Sequence, residues 1–253
     1  MVPIAQGQRE LIIGDRQTGK TFIAIATVIS QQLRNGSVGQ RKNLLTLASC
    51  SGQRVASGVR MRSVLFNNDT SKFVSVLLAT VTATMTSQFI GPLSATSILE
   101  IYRNSGSHCY IVYDDFSKHA IAYRQLCLYL RKPAGREAFP SDVFYLHARI
   151  LERSSALAHS QGLGSLMSLP VIETLSNDLS AYIATNVISI TDGQLYLDIV
   201  LFGTGVCPAV SIDKSVSRVG AKSLDGFFRM TAFRIYALLN DYKQELDTAV
   251  KSD

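Results

Sequence analysis

The sequence predicts an α/β fold in which a mostly parallel β-sheet is flanked by helices. Short apolar segments and amphipathic segments alternate along most of the 253 residues, and this alternation is typical of βαβ units. Near the start of the chain, an apolar segment leads directly into a glycine-rich turn of the form GxxxxGK[ST] and then into a helical segment. A hydrophobic content of 47% is sufficient for the buried core that such a sheet requires.

The glycine-rich turn is Gly14–Thr21 (GDRQTGKT), which lies between a predicted strand, Glu10–Ile13, and a predicted helix, Thr21–Leu33. Gly14 and Gly19 allow the backbone to curl so that successive N–H groups face one point, a geometry that binds phosphate oxygens. The positive end of the following helix faces the same point. The segment therefore predicts the phosphate-binding loop of a P-loop nucleotide-binding domain.

Two side chains of this loop have distinct predicted roles. Lys20 can reach the β- and γ-phosphates of a nucleotide, and the Thr21 hydroxyl can coordinate Mg²⁺. The rest of the loop completes the predicted nucleotide site: Gly14, Asp15, Arg16, Gln17, Thr18 and Gly19.

Five further segments are predicted as strands because they are short, apolar and rich in β-branched residues. In chain order they are Asn43–Ser49, Phe73–Ala83, Cys109–Tyr113, Ala184–Ile190 and Gln194–Val200. The second belongs to the apolar run that is nearest in length to a membrane span, but Thr and Ser residues interrupt this run and it is too short. We therefore expect no direct insertion into a membrane.

Five further segments are predicted as helices; the first is basic, the third has helical periodicity and the last is amphipathic. In chain order they are Gln53–Leu65, Ser94–Arg103, Ser117–Leu130, Val143–Ser155 and Arg229–Lys251. The second ends before Asn104 and Gly106, and the third ends before Pro133, because such residues stop helices. The last is predicted as a helical extension of the domain.

Asp114 directly follows the strand candidate Cys109–Tyr113. A carboxylate at the tip of a strand that neighbours the phosphate-loop strand can hold the water shell of Mg²⁺, whereas a turn or capping role is the alternative for such an aspartate. Because Gly14–Thr21 predicts a nucleotide site, we favour the metal role for Asp114. Asp115 is predicted instead to cap the helix that begins near Ser117.

Charge and cysteine content limit the classes of ligand and partner. The net charge of +6 is spread along the chain, which favours anionic ligands or an acidic partner surface and does not indicate a nucleic-acid interface. The four cysteines have no CxxC spacing, so neither a zinc site nor a disulfide framework is predicted. We expect buried free thiols in a reducing compartment: Cys50, Cys109, Cys127 and Cys207.

Five segments of the chain resemble the alpha subunit of the F-type ATP synthase, in the order in which that family has them. They are Gly7–Thr21, Tyr113–Gln125, Gly135–Arg153, Ala181–Gln194 and Ser215–Gly220. Residues 54–105 and the part after residue 220 are less alike. The resemblance implies a RecA-like P-loop NTPase domain with a short C-terminal helical extension, and it implies ATP or ADP with Mg²⁺ as the ligand.

The resemblance also implies a role in a larger assembly. Alpha and beta subunits alternate in a hexameric ring around the central-stalk gamma subunit, and only the beta-type sites turn over nucleotide in proton-driven ATP synthesis. In the catalytic subunit a glutamate after the second strand orients the attacking water, and Gln53 stands at the corresponding place here. An amide cannot accept a proton from water near neutral pH, so this chain's own nucleotide site is expected to be non-catalytic.

Two more site predictions follow from the resemblance. Arg218 corresponds to the arginine finger that the alpha subunit offers in trans to the adjacent beta-type site, where its planar guanidinium contacts γ-phosphate oxygens. The family's pocket for the base pairs an aromatic residue with an Arg-Pro sequence. Phe202 and Pro208 fit this pattern, but Cys207 replaces the arginine, so altered adenine recognition is expected.

Family members begin with a β-barrel domain and end with a helical-bundle domain. By comparison, residues 1–225 are predicted to form the nucleotide-binding domain and residues 226–253 the start of the C-terminal helical region, with the β-barrel domain absent from this chain. Either the chain is a fragment, or the alpha subunit is assembled from separate polypeptides. Glu173–Ala181 is most similar to mitochondrial lineages whose alpha chain is split, so the second alternative is favoured. The expected location is the matrix side of the mitochondrial inner membrane, as a peripheral subunit, with a bacterial or plastid membrane as the alternative.

A free-standing hexameric RecA-like helicase, similar to the transcription-termination factor, is the alternative function. Such a helicase has a related core and an arginine in trans, but it needs an RNA-binding domain and basic loops. The basic residues of this chain do not alternate with aromatic residues to form stacking platforms. A nucleotide-binding scaffold without exchange is a third possibility that the sequence leaves open.

Overall fold

The computed structural model describes residues 3–37, 44–66 and 73–252, and within these ranges seven strands form one sheet. In chain order they are β1 (Glu10–Asp15), β2 (Leu44–Gln53), β3 (Val74–Thr80), β4 (His108–Asp114), β5 (Ser165–Thr174), β6 (Gly193–Leu197) and β7 (Val216–Ser217). Their order across the sheet is β3-β2-β4-β5-β1-β6-β7. All neighbouring pairs are parallel except β6 with β7, so the predicted mostly parallel sheet is confirmed.

Eight α-helices occur in the described ranges, most of them as connections between strands. They are α1 (Lys20–Ser37), α2 (Val55–Phe66), α3 (Met85–Asn104), α4 (Phe116–Tyr129), α5 (Val143–Leu151), α6 (Tyr182–Ile190), α7 (Ile199–Gly203) and α8 (Gly226–Ser252). Among these helices, none combines the length and the apolar character that crossing a membrane requires. The last helix begins next to the predicted boundary at residue 225, and its assignment to a separate helical region stays a prediction.

Both faces of the sheet are buried, and the alternation along each strand divides the side chains between two cores. In β1, Leu11 and Ile13 pack into the core that includes α3, α4, α5 and α6, whereas Ile12 packs into the core that includes α1 and α2. Tyr113 and Tyr110 of β4 are divided in the same way. Burial on both faces explains why these strands are continuous apolar runs in the sequence.

Most predicted elements are confirmed, with differences at their ends. The strand predictions at β1, β2, β3, β4 and β6 and the helix predictions at α1, α2, α4, α5 and α8 each coincide with an observed element. Asn43, the first residue of one predicted strand, lies outside the described residues. The helix predicted from Ser94 begins earlier, at Met85, because the Thr84 hydroxyl accepts a hydrogen bond from the Ser87 N–H and caps the helix there.

The predicted strand Ala184–Ile190 is wrong, because this segment lies in the helix α6. Its β-branched residues favour a strand by composition. However, Ile183, Val187 and Ile190 are spaced three and four positions apart, and all three are buried in the core that α5 shares. Packing of one helical face therefore overrides the local β-propensity.

The central strand β5 is absent from the predicted strands. Its Pro170 lies opposite Tyr113 of β4, and proline, which lacks an N–H donor, argues against a central strand in any sequence-based prediction. The run Leu169–Ile172, with two β-branched residues, is the signal that indicates a strand here. Because β5 lies between β4 and β1, the prediction that Asp114 ends a strand next to β1 is wrong.

The cysteine prediction is confirmed for three residues and wrong for one. All four thiols are free, and Cys50, Cys109 and Cys127 are buried in the domain. Cys207 is exposed. It lies in the segment between α7 and β7, which places it outside both cores.

Two fully buried histidines, His119 of α4 and His147 of α5, face each other in the core. The His119 Nε2–H donates to the Phe89 carbonyl at 3.0 Å, so the Nδ1 of His119 is the acceptor toward the His147 Nε2 at 3.4 Å. The His147 ring also stacks on Phe116, with centroids 4.7 Å apart. Burial lowers the pKa of His119 to about 4 and lowers the pKa of His147 well below its ordinary value, so both rings are neutral near pH 7.

Acidification is expected to destabilise the fold through this pair. Between pH 6.5 and pH 4 the unfolded chain binds protons that the folded chain excludes, so the free energy of unfolding falls as the pH falls through this window. The loss between pH 7 and pH 5 is about 2 kcal/mol for one such group. Urea unfolding at the two pH values should show a smaller difference for His119→Gln than for the wild type, since Gln retains the donor to Phe89.

Because the wild type and His119→Gln share all other buried titratable groups, the contribution of those groups to the pH dependence cancels in the comparison. Burial raises the pKa of Asp115 to about 6 and that of Glu10 to about 8, and both carboxyls act in the opposite direction in both proteins. An equal pH dependence in the wild type and in His119→Gln would contradict the prediction.

Candidate nucleotide-binding site

The predicted phosphate-binding loop connects β1 to α1. Gln17 and Gly19 have φ angles of 63° and 89°, so the loop uses the left-handed backbone region twice, and the Thr18 hydroxyl closes it by donating to the Asp15 carbonyl at 2.8 Å. Gly14 is required by close approach, because a Cβ atom there would lie 2.7 Å from the backbone oxygen of Leu197 in β6. This curled backbone at a helix N-terminus is the geometry that binds phosphate.

Lys20 lies in the first turn of α1 and folds back over the loop. Its ammonium group donates to the Gly14 carbonyl at 2.9 Å and also to the Asp15 carbonyl. Burial lowers the pKa of Lys20, while the charges of nearby carboxylates, Glu173 first among them, oppose this shift. In this structure the ammonium group is therefore held against the backbone of the loop.

Thr21, Asp114 and Gln53 come together beside the loop. The Thr21 hydroxyl donates to the Asp114 carboxylate at 2.9 Å. Burial raises the pKa of Asp114, and hydrogen bonds from Thr21 and Gln53 together with the charge of Lys118 oppose this. Although β5 separates β4 from β1, α1 packs across β1, β5 and β2, and its first turn therefore reaches the end of β4.

These oxygen groups fit the requirements of Mg²⁺. A hydroxyl and a carboxylate 2.9 Å apart are hard ligands at the edge of a phosphate-binding loop. Within the described ranges no group of three or more His, Cys, Asp or Glu side chains forms a separate metal cage. A magnesium ion here would therefore depend on Thr21, on Asp114 through water, and on phosphate oxygens.

The predicted capping role of Asp115 is confirmed. Asp115 is the N-cap of α4, and its carboxylate accepts a hydrogen bond from the Lys118 N–H at 2.7 Å. The Lys118 ammonium lies 3.3 Å from the same carboxylate. Asp115 is therefore engaged in ending the loop between β4 and α4.

A cavity of about 670 Å³ opens beside the phosphate-binding loop. One wall is formed by Gln17, Thr18 and Gly19 together with side chains of α1. The opposite wall holds Phe202, Cys207 and Pro208, which follow the loop by more than 180 residues in the chain. The structure therefore places both residues predicted for the base pocket, and the thiol between them, in one cavity with the phosphate-binding loop.

A second cavity of about 810 Å³ lies between α1 and α2. Thr21, Gln53 and Asp114 line part of it, and the rest of the lining combines apolar side chains of the two helices with the polar or charged residues Ser30, Arg54, Ser57 and Arg60. Phe22 contributes to both cavities, and it is 73% exposed. The hydroxyl and the carboxylate of the candidate metal site thus line the second cavity, which shares Phe22, Ala26 and Ser30 with the first.

Arg218 is not part of this site. It directly follows β7, and its N–H donates to the Asp192 carbonyl just before β6, whereas the phosphate-binding loop lies beside Leu197 at the other end of β6. The Arg218 side chain is exposed, and within the described residues its guanidinium makes no hydrogen bond or ion pair. It is therefore available to a group outside this chain.

Comparison with known proteins identifies the family. The model for the "ATP synthase alpha/beta family, nucleotide-binding domain" matches residues 1–217 of this chain. The chain belongs to the ATP synthase alpha/beta family. The match covers the phosphate-binding loop, Gln53, Asp114 and the base cavity, and it ends one residue before Arg218.

Individual relatives in the ATP synthase family carry the name of the alpha subunit. The mitochondrial ATP synthase subunit alpha of Trypanosoma brucei brucei is 46% identical over 244 residues, which are 96% of this chain and 42% of that protein. The ATP synthase subunit alpha of Neorickettsia sennetsu is 47% identical over 244 residues, 96% of this chain and 48% of that protein. The ATP synthase subunit alpha of Ehrlichia canis is 45% identical over 249 residues, which are 98% of this chain and 49% of that protein. This chain spans less than half the length of these relatives.

Sequence reasoning missed the support of the site in this ATP synthase family domain. The buried Asp15 carboxylate accepts hydrogen bonds from the Thr174 hydroxyl at 2.6 Å and from the Asn177 N–H at 3.0 Å. The Asn177 side chain donates in turn to Asp198 at 3.2 Å, and Asp198 caps α7, the helix of Phe202. This chain of contacts joins the phosphate-binding loop to the base cavity. Only the fold reveals it, because its members are far apart in sequence.

Proposed function

We propose that this chain is a non-catalytic nucleotide-binding alpha subunit, or a part of one, in a rotary ATP synthase. The observation that most supports the proposal is the pairing of Thr21 with Asp114 beside Lys20, in a chain whose family match spans residues 1–217. The site takes ATP or ADP with Mg²⁺. Its occupancy serves structure and regulation, while turnover takes place at neighbouring beta-type sites.

Each residue of the site has a defined task in this proposal. The loop N–H groups hold phosphate oxygens, and Lys20 exchanges its contacts with backbone carbonyls for contacts with the β- and γ-phosphates. Thr21 and, through water, Asp114 hold Mg²⁺, which when bound neutralises phosphate charge. Phe202 and Pro208 contact the base across the 670 Å³ cavity.

Gln53 and its surroundings support the absence of turnover at this site. Gln53 ends β2 and hydrogen-bonds to Asp114, at the place where a general base would stand. An amide cannot take the proton of an attacking water. The nearby carboxylates are engaged otherwise, since Asp115 pairs with Lys118 and Glu173 pairs with Arg16.

Arg218 is proposed to act at the neighbouring site. Its exposure and its position at the far end of β6 from the phosphate-binding loop support a role in trans. Beta-type subunits would then alternate with this chain around a central-stalk gamma subunit. We propose the matrix side of the mitochondrial inner membrane as its location, with a bacterial membrane as the alternative because bacterial relatives are equally similar.

Alkylation of Cys207 tests nucleotide binding directly. The thiol is exposed and lines the base cavity, whereas the other three thiols are buried. N-ethylmaleimide should therefore modify Cys207 first. Mg-ATP at about ten times its Kd or more should slow this modification about tenfold, because the bound nucleotide covers the cavity. Mass spectrometry of the labelled peptide gives the rate.

A control variant and the native mass complete the alkylation experiment. Cys207→Ser should remove the fast-labelled peptide, and this verifies the assignment. Equal labelling rates with and without Mg-ATP would contradict nucleotide binding in this cavity. The native mass then tests the assembly: purification with beta-type subunits agrees with the proposal, whereas a homohexamer of this chain would favour the helicase alternative.

A further inference from the structure

Asp192 is the most heavily hydrogen-bonded residue near Arg218. Its carboxylate accepts from the Arg9 N–H at 3.0 Å, from the Arg9 Nε at 3.0 Å and from the Arg9 Nη2 at 2.7 Å. Its own N–H donates to the Arg9 carbonyl at 2.8 Å, and its carbonyl accepts the Arg218 N–H at 2.9 Å. One residue thus connects the start of β1 to the backbone of Arg218.

The electrostatics of Asp192 favour a rigid contact. Burial alone would raise the pKa of its carboxyl, but the hydrogen bonds and the charge of Arg9, with a contribution from Arg218, hold this pKa below the usual range. The bidentate geometry fixes the guanidinium plane of Arg9 as well as its distance. The two side chains are only about a quarter exposed, at 25% and 22%, so solvent competes weakly with the pair.

The residue before Arg218 is held from the same side. Ser217 pairs with Gly193 in the antiparallel β6–β7 ladder, and its hydroxyl accepts a hydrogen bond from the Gln8 side chain at 3.1 Å. Gln8 and Arg9 are adjacent residues that lead into β1. The backbone on both sides of the Ser217–Arg218 bond is therefore tied to the start of β1, while the Arg218 side chain is left exposed.

We propose that Asp192 is a positioning residue for Arg218: its contact with Arg9 fixes the backbone from which the Arg218 guanidinium reaches the reacting phosphate of the neighbouring site. This inference rests on the proposed function of Arg218. It assigns a specific role to the Asp192–Arg9 pair, which lies at the opposite end of β1 from the phosphate-binding loop. A misplacement of about 1 Å in a group that contacts the transition state can cost up to about 10²-fold in rate, so the effect should be measurable.

The test is steady-state ATP hydrolysis by the assembled particle that contains Asp192→Asn. The substitution keeps the size and the backbone carbonyl but removes the charge that holds Arg9. We expect kcat to fall about tenfold or more, with KM changed less than about twofold and with the nucleotide content of this chain's own site unchanged. A purely structural role would instead lower thermal stability without this kcat-selective loss.

Glu100→Gln is the matched control. Glu100 forms a comparable bidentate pair with Arg153, and both side chains are about a quarter exposed, like those of Asp192 and Arg9. Glu100 lies in α3 and Arg153 follows α5, so this pair is away from Arg218. This variant should lower stability by a similar amount and leave kcat unchanged. Equal kcat losses in Asp192→Asn and Glu100→Gln would overturn the proposal.

Combination with Arg218→Lys separates this inference from the function on which it rests. If Asp192 acts through Arg218, Asp192→Asn should cost little further rate in the Arg218→Lys background, whereas independent effects would multiply and overturn the proposal. A slow Arg218→Lys particle with a normal Asp192→Asn particle would overturn this inference alone. Normal turnover of Arg218→Lys would overturn the proposed function. If Asp192→Asn fails to assemble, Arg9→Lys decides: it keeps the charge but loses the fork, and an unchanged kcat would overturn the proposal.

Discussion

Replacement of Arg218 by lysine is expected to reduce steady-state ATP hydrolysis by the assembled particle about 10²- to 10³-fold, which reaches the lower end of the roughly 10³- to 10⁵-fold contribution of arginine fingers. Lysine keeps the charge but loses the planar fork that contacts two phosphate oxygens at once. Those contacts strengthen as the oxygens gain charge. The substitution therefore destabilises the transition state more than the ground state, and kcat falls more than nucleotide affinity.

The nucleotide content of both site types must be measured in the same preparations. Because Arg218 lies at the opposite end of β6 from the phosphate-binding loop, this chain's own nucleotide should be retained. Arg229→Lys, at an exposed position in α8, is the control and should hydrolyse ATP at the wild-type rate. Near-normal turnover of Arg218→Lys combined with loss of this chain's nucleotide would place Arg218 in cis and refute the interface role.

Removal of Lys20 is expected to have the complementary effect. Lys20→Ala should weaken nucleotide binding at this chain's own site about tenfold to hundredfold, since a hydrogen bond to a charged group contributes about 1.5–3 kcal/mol and 1.4 kcal/mol corresponds to tenfold. The site should therefore be empty after gel filtration. Turnover at the neighbouring sites should remain partly intact, because Lys20 contacts only the nucleotide that is bound to this chain.

Bound nucleotide per particle and steady-state hydrolysis are the two measurements for Lys20→Ala. Lys222→Ala, an exposed lysine outside both cavities, should retain its nucleotide and serves as the control. Unchanged nucleotide content in Lys20→Ala would refute the role of Lys20. Complete loss of turnover in a correctly assembled Lys20→Ala particle would refute the non-catalytic assignment of this site.

Elements with strong local signals could be predicted from the sequence. The segment from β1 to α1 combines a buried strand, a glycine-rich loop and an apolar helix, and each of these depends on neighbours within a few residues. The capping role of Asp115 is local in the same sense, because its hydrogen bond reaches only to Lys118.

Elements whose identity depends on packing were misread or missed. The segment of α6 is rich in β-branched residues, and only burial of Ile183, Val187 and Ile190 on one face makes it helical. β5 contains Pro170, which local reasoning places outside a central strand. Tertiary contacts compensate for these local costs, and no short window of sequence contains them.

The sequence by itself determined the chemistry of the phosphate-binding loop, because the spacing of Gly14, Gly19 and Lys20 acts within one turn. The tertiary structure decided which distant groups join that loop. The strand order places β5 between β1 and β4, yet α1 brings Thr21 to Asp114, and Phe202 closes the base cavity from the far side. Such contacts follow from how strands order and helices cross, which depends on the burial of the whole chain and not on any one segment.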